Sequence, residues 1–341
     1  MAAASAAALA VTVPMTLSSA AATVTTHPDY VTLLAGSPHV AVYELTHDQN
    51  TGTVPPTDAP YQLVVRSADG SSERYPLGEA QKSLDSLRWS VSRDMLTAVD
   101  TANDATVDWW NLATHASGTV TVPPRSYVGA SPLGVLYLTK HGTLKQRTPT
   151  GVTTVLSHPF TKRPSNMTAR SNDLGAIIGD LPGQARYLTF AHPSDVRRVD
   201  TKGAALVACS ALGAKYAACT TRGALHGRPT GAALLSVSGR APVYANDRKE
   251  NFGQVGLIGA KTVAWTRFRP GSSGDAHGPQ STVASLTRGA AHRVVAKHLT
   301  VAFGQMITAY GKVLVMPKKR HRILASGDGK TFATIVTAPS S

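Results

Sequence analysis

A chain of 341 residues has room for two ordinary domains or one repeat array, and its 42% hydrophobic content suits a globular core. Its 21 Pro and 29 Gly, with no long stretch of helical period, exclude a helical bundle. They point to an all-β chain of short strands and turns, because Pro fixes φ and Gly accepts φ > 0. The formal net charge of +14 is unevenly placed: 5 Lys+Arg face 12 Asp+Glu through Val122, and 29 face 8 from Pro123 onward. Such asymmetry fits a surface for a polyanion in the later part, with Arg-rich composition as the plainer alternative.

Residues 1–22 read as an export signal or a low-complexity leader. An apolar run ends at Pro14, and small residues at Ala20, Ala21 and Ala22 offer a cleavage site, although no Lys or Arg precedes the run. The run is shorter than the ~20 residues of a membrane span, and no later segment reaches that length. Residues 23–341 then read as one domain.

The first unit pairs H-V-A-V-Y-E-L from His39 with Y-Q-L-V-V-R-S from Tyr61, and a Pro-rich loop over 46–60 lies between them. The second, residues 86–122, is the clearest: three β-rich runs separated by polar turns. The third, residues 127–157, turns at Gly142 and Gly151. A fourth covers residues 166–200. The fifth, residues 203–238, places Cys209 and Cys219 on either side of a Leu-Gly-Ala-Lys turn at 212–215. The sixth begins near Val243 and the last near Leu299. The strand over 23–34, or that over 331–337, would close the ring by pairing with the opposite terminus. Seven units at a spacing near 45 predict a β-propeller of seven four-stranded blades, with six or eight as alternatives. A pair of β-sandwiches also shows short strands and frequent turns, but gives no reason for that repeat.

The second unit carries a resemblance. From Asp94 to Val122 an aspartate-rich turn, a tryptophan strand and an A-T-x-x-S-G turn resemble a blade of secreted bacterial β-propeller repeat proteins. Trp110-Asn111 stands where WD-type blades carry Trp-Asp, but the Asp and the upstream Gly-His are absent. Ser326-Gly-Asp-Gly-Lys-Thr-Phe332 is similar to an Asp-box turn, one residue short and with Phe for Trp. The resemblance implies a propeller outside the cell and assigns no catalytic residue.

The chemistry-bearing residues are less organised. Cys209 and Cys219, opposed across a hairpin, would form a disulfide in an exported protein; in an intracellular one they would be small buried thiols. No metal site is expected, since the two cysteines lack a companion Cys or His pair and the 12 histidines are scattered. No cofactor motif is present. Alternation sends Trp109 and Trp110 to opposite faces of a strand, which favours packing between blades over a stacking platform for sugars or bases. Glycoside hydrolysis needs two carboxylates flanking the bond, yet Glu44, Glu73, Glu79 and Glu250 lie in no distinctive motif.

The basic clusters are better candidates. Lys318, Lys319, Arg320 and Arg322 crowd one hairpin between two strands, with Arg197-Arg198, Arg248-Lys249 and Arg267 with Arg269 behind. Such groups attract phosphate, sulfate or carboxylate chains by charge and counterion release. No aromatic residues interleave with the run, which argues against specific nucleic-acid binding. The sequence therefore reads as an exported, monomeric propeller at the cell surface or beyond. It would serve as a binding or scaffolding module for an anionic polysaccharide or an acidic protein. The competing reading is a glycan-active hydrolase or lyase with its site at the central tunnel.

Overall fold

A computed structural model describes residues 30–46, 62–76, 87–100, 104–179, 184–222, 231–245, 251–268, 281–290, 292–318 and 321–338. Every regular element among them is a β-strand. No helix among them is long and apolar enough to cross a membrane. Consecutive strands pair antiparallel in meanders, most of them strands of four to eight residues.

Five four-stranded blades follow one another. The first holds β1 (Tyr30–Gly36), β2 (Val40–Thr46), β3 (Gln62–Ser67) and β4 (Ser72–Pro76). The second holds β5 (Leu87–Ser92), β6 (Met95–Asp100), β7 (Thr106–Asn111) and β8 (Ser117–Thr121). The third holds β9 (Tyr127–Ser131), β10 (Gly134–Leu138), β11 (Leu144–Arg147) and β12 (Thr153–Ser157). The fourth holds β13 (Thr168–Ser171), β14 (Gly175–Gly179), β15 (Ala185–Thr189) and β16 (Arg197–Val199). The fifth holds β17 (Ala205–Leu212), β18 (Tyr216–Arg222), β19 (Gly231–Ser236) and β20 (Val243–Ala245).

The remaining strands form one seven-stranded sheet: β21 (Asn251–Ile258), β22 (Thr262–Phe268), β23 (Ser281–Thr287), β24 (Val294–Ala309), β25 (Lys312–Pro317), β26 (Arg322–Ser326) and β27 (Ala333–Thr337). The expectation of seven four-stranded blades, with six or eight as alternatives, is thereby corrected. The cause is β24. Its 16 residues contain no Pro and no turn dipeptide, so the chain stays extended where a unit was expected to end and the next to begin near Leu299. The first part of β24 pairs with β23 and the last part with β25. Val301 is matched on both sides, to Ser281 and to Pro317. The sheet folds at this point, and Ile258, Ala264 and Val283 pack against Met306, Val313, Val315 and Leu324.

The ring's seam also differs from the expected closing strand where it is described; residues 23–29 of the strand expected over 23–34 lie outside the described residues. β1 pairs only with β2 and β27 only with β26, so among the described residues no strand crosses between the termini. The first and last sheets instead meet mainly through side chains. Val31, Leu33, Tyr43 and Val64 pack against Ile307, Leu314, Met316 and Ile323. Tyr310 pins the seam: its hydroxyl accepts from Ala41 N–H at 3.0 Å and donates to the Arg66 carbonyl. Its own amide donates to the Ser37 carbonyl at 3.1 Å. Burial pushes the Tyr310 hydroxyl up to about 12, so it stays a neutral donor.

Equivalent apolar seams join the other neighbours. Trp110 packs with Val42, Leu63 and Trp89 between the first and second blades, its ring stacked on Trp89 at 5.6 Å. Trp109 packs on the opposite face with Val120, Tyr127 and Tyr137. The two adjacent tryptophans thus serve two seams, as alternation along the strand requires. Gly118 makes room for the Trp109 ring, which a Cβ there would meet at 3.1 Å. The turn after Ser326 is held by its own polar groups. Asp328 Oδ1 accepts from Lys330 N–H and Thr331 N–H, both at 2.8 Å, and these bonds hold its carboxyl down at about 2.

Candidate functional site

The innermost strands surround a central cavity of about 420 Å³. The first strands of the meanders, with the last part of β24, line it because propeller blades converge there. Much of the wall is apolar: Met167 and Val207 line it, with Leu33 and Met306 lining it from the buried seams between sheets. Two guanidinium groups break the pattern. Arg88 on β5 donates to the Tyr127 carbonyl and lies over the Tyr127 ring, 4.6 Å from its centroid. Arg170 on β13 donates from Nη1 to the Trp89 carbonyl at 3.2 Å. The Tyr127 ring is itself fixed, since its hydroxyl and Thr97 Oγ1 are 2.6 Å apart.

Neither arginine forms an ion pair with a described carboxylate. Burial is the main cause that lowers both their pKa values. For Arg170 the charge of Arg88 adds to the effect, while Asp104 outside the cavity opposes it for Arg88. Asp104 is engaged elsewhere, accepting from the Arg125 amide at 2.7 Å. Ser90, Thr168, Ser210 and Gln254 add neutral polar groups, and among the described residues no Asp, Glu or His lines the cavity.

One end of this cavity is tied across by the turns that follow the innermost strands. Asp173 Oδ1 accepts from Arg93 N–H, and Asp173 Oδ2 lies 3.4 Å from His39 Nε2, so three blades meet at one carboxylate. Asn172 Nδ2 donates to the Leu212 carbonyl at 2.6 Å. A smaller cavity of about 120 Å³ lies among these turns and shares Arg170 and Ser210 with the larger one.

Burial pushes the Asp173 carboxyl above its ordinary value, against the opposing pulls of Arg93, His39 and Ser37. Because the folded-state value is the higher one, the stability this group contributes is complete below the ordinary carboxylate range. It is lost as pH rises through the raised value. Asp173→Asn keeps an acceptor for Arg93 and removes the charge. The variant is expected to melt at a higher temperature than wild type at neutral pH, the gap closing as pH falls below about 3.9. A lower melting temperature at neutral pH would mean that pairing with His39 outweighs burial.

The residues singled out from sequence fall elsewhere. Lys318 and Arg322 are exposed at the hairpin joining β25 to β26, as expected, while Lys319 and Arg320 lie outside the described residues. Arg197 and Arg198 are exposed on β16, and Arg197 is paired with Asp195 at 2.5 Å. Arg248, Lys249 and Arg269 lie outside the described residues, as do Glu79, Glu250, the leader over 1–22 and most of the 46–60 loop. Glu44 is buried in β2; Glu73 lies beside Tyr75, whose hydroxyl donates to it at 2.8 Å. Neither reaches the cavity. No group of three His, Cys, Asp or Glu able to hold a metal ion occurs among the described residues. Cys209 and Cys219 are directly opposed on β17 and β18 and form a disulfide, with Cα atoms 4.0 Å apart.

No family model and no curated protein matches the chain. Among solved structures, one from a study of two prolyl endopeptidases superposes with a TM-score of 0.55 at 13% identity. That match covers 92% of this chain and 51% of the other, so the chain spans about half the length of that protein. The β-propeller domain of Myceliophteria thermophila Cps50 (Swd1) superposes with a TM-score of 0.50 at 10% identity, covering 88% of this chain and 97% of the domain. At such identities the likeness establishes the fold alone. The chain is a β-propeller.

Proposed function

We propose that this propeller is an exported binding module whose later, basic sheets hold an anionic polymer or an acidic protein partner. The observation that carries the reading is the placement of charge around the ring. The acidic stretch through Val122 supplies the first two blades, which are neighbours, and the basic stretch supplies everything after them. Charge of one sign thereby occupies one continuous arc. An arc of this kind attracts a polyanion over a distance of about the Debye length and gains from counterion release on contact. Exposure of Lys318 and Arg322 at the β25–β26 hairpin supplies a contact point on that arc. The disulfide supports export, because such bonds persist in oxidising compartments.

Retention on immobilised dextran sulfate and polyglutamate tests the reading. Binding is expected to weaken steeply with added salt, and reversing charge with Lys318→Glu and Arg322→Glu together should weaken it roughly tenfold. Binding that is indifferent to salt, or equal in the variant, would overturn the assignment.

A further inference from the structure

We propose that the central cavity is a binding site for a small amphipathic oxyanion, a carboxylate or phosphate head on an apolar body, with Arg88 and Arg170 receiving the head. Two cations share one cavity of about 420 Å³ with no acidic residue in its wall among the described residues. Both arginines are half-buried, and like charges brought together in a partly desolvated cavity are unfavourable unless an anion joins them. The arrangement is also pre-oriented. Among the described residues each guanidinium is steered by a single bond to a backbone carbonyl, Trp89 for Arg170 and Tyr127 for Arg88. A guanidinium carries several N–H donors in a fixed fork, so the others remain for a guest oxyanion. Stacking over the Tyr127 ring keeps the Arg88 fork from rotating.

The remaining wall selects the rest of the guest. Exposed Val207 and half-buried Met167 present apolar surface, backed by the buried Leu33, Met306 and Ile307, while Ser90, Ser210 and Gln254 provide neutral polar contacts. A free inorganic ion would leave that apolar wall uncovered, and a neutral lipid would leave the two charges unanswered. The cavity volume falls within the range of small-molecule sites, so the guest is a compact molecule and not a polymer. This site is independent of the exposed hairpin lysine and arginine, and either assignment stands or falls without the other.

Calorimetric titration of the full chain at fixed ionic strength, with hexanoate, hexyl phosphate and hexanol as probes, decides the matter. One or both anions should bind saturably at one site, and hexanol should bind at least roughly tenfold more weakly. Tighter binding of hexanoate assigns a carboxylate guest, and tighter binding of hexyl phosphate assigns a phosphate guest. Arg170→Gln and Arg88→Gln should each weaken the preferred anion tenfold to about a hundredfold. Lys318→Glu with Arg322→Glu should leave it unchanged. In wild-type protein the bound anion should also protect Arg88 and Arg170 from phenylglyoxal, as mapped by peptide mass spectrometry, a readout that needs no folded variant. Absence of saturable binding by both anions, equal binding of hexanol, or unprotected arginines at saturation would overturn the site.

Discussion

Leu314→Ala is expected to lower the free energy of unfolding by about 2–5 kcal/mol, the range for truncating a fully buried leucine. Leu314 is wholly buried in the seam between the first blade and the last sheet. Its position gives the loss a distinctive form. In a ring closed by a shared strand, ladder hydrogen bonds would still hold the termini together after a cavity opened. Here the described residues provide no such ladder; closure rests on packing, on Tyr310 and on the Leu33 amide donating to Gln305 Oε1 at 2.7 Å. The damage should therefore appear first as local opening of β1. Hydrogen exchange would show amides of Val31 to Ala35 losing protection ahead of those of β10. The buried Leu136 of β10, truncated in the same way, is the control: a similar global loss with β1 protection intact. If both variants left β1 equally protected, closure would have to depend on something other than this seam.

Much of the architecture can be read from local chemistry. The second and third blades match the bounds of their sequence units because each of their turns is short and contains or adjoins Gly, Asn or Asp, whose backbone preferences act within a few residues. Gly142 and Gly151 both adopt the positive φ that their turns require. The cysteine hairpin was legible for the same reason. The boundary after the fifth blade was not: Val243–Ala245 reads as the opening of a new unit but pairs with β19 as the last strand of the old one. Three residues carry too little pattern to reveal which neighbour they join. β24 shows the opposite failure, since a long run without a breaker hides the change of partner at Val301.

The cavity was illegible for a more basic reason. Arg88 and the Tyr127 it stacks on are 39 residues apart, and Arg170 reaches a carbonyl 81 residues away. Each lies in a short innermost strand with nothing unusual around it. Sequence brings basic residues to notice when they are consecutive, as at Lys318, whereas a propeller channel gathers single residues from separate blades. The usable signal was a cation within the first strand of a unit, where small and apolar residues otherwise predominate.

Replacing Cys209 and Cys219 together with alanine should cost about 2–3 kcal/mol, the loop-entropy expectation for a bridge closing so short a segment. The separation of 10 residues keeps this below what a long loop would give. Two further effects adjust it. Alanine leaves the space of two sulfur atoms empty in a fully packed cluster with Leu206, Leu212 and Leu235, which adds to the loss. The hairpin turn at 213–215 holds the two strands close even without the bridge, which reduces it. Denaturant midpoints at constant m-value would measure the sum. Reducing agent should act differently. Cys219 is wholly buried and Cys209 nearly so, so a thiolate reaches the bond only when the fifth blade opens. Native protein should keep its bridge in millimolar dithiothreitol, and reduction should accelerate with urea in step with opening of β17 and β18. Rapid reduction in the native state would instead show that Cys209, which lines the central cavity, is reached through that cavity. Hexanoate or hexyl phosphate bound there would then slow it, linking the redox state of the fifth blade to occupancy of the channel.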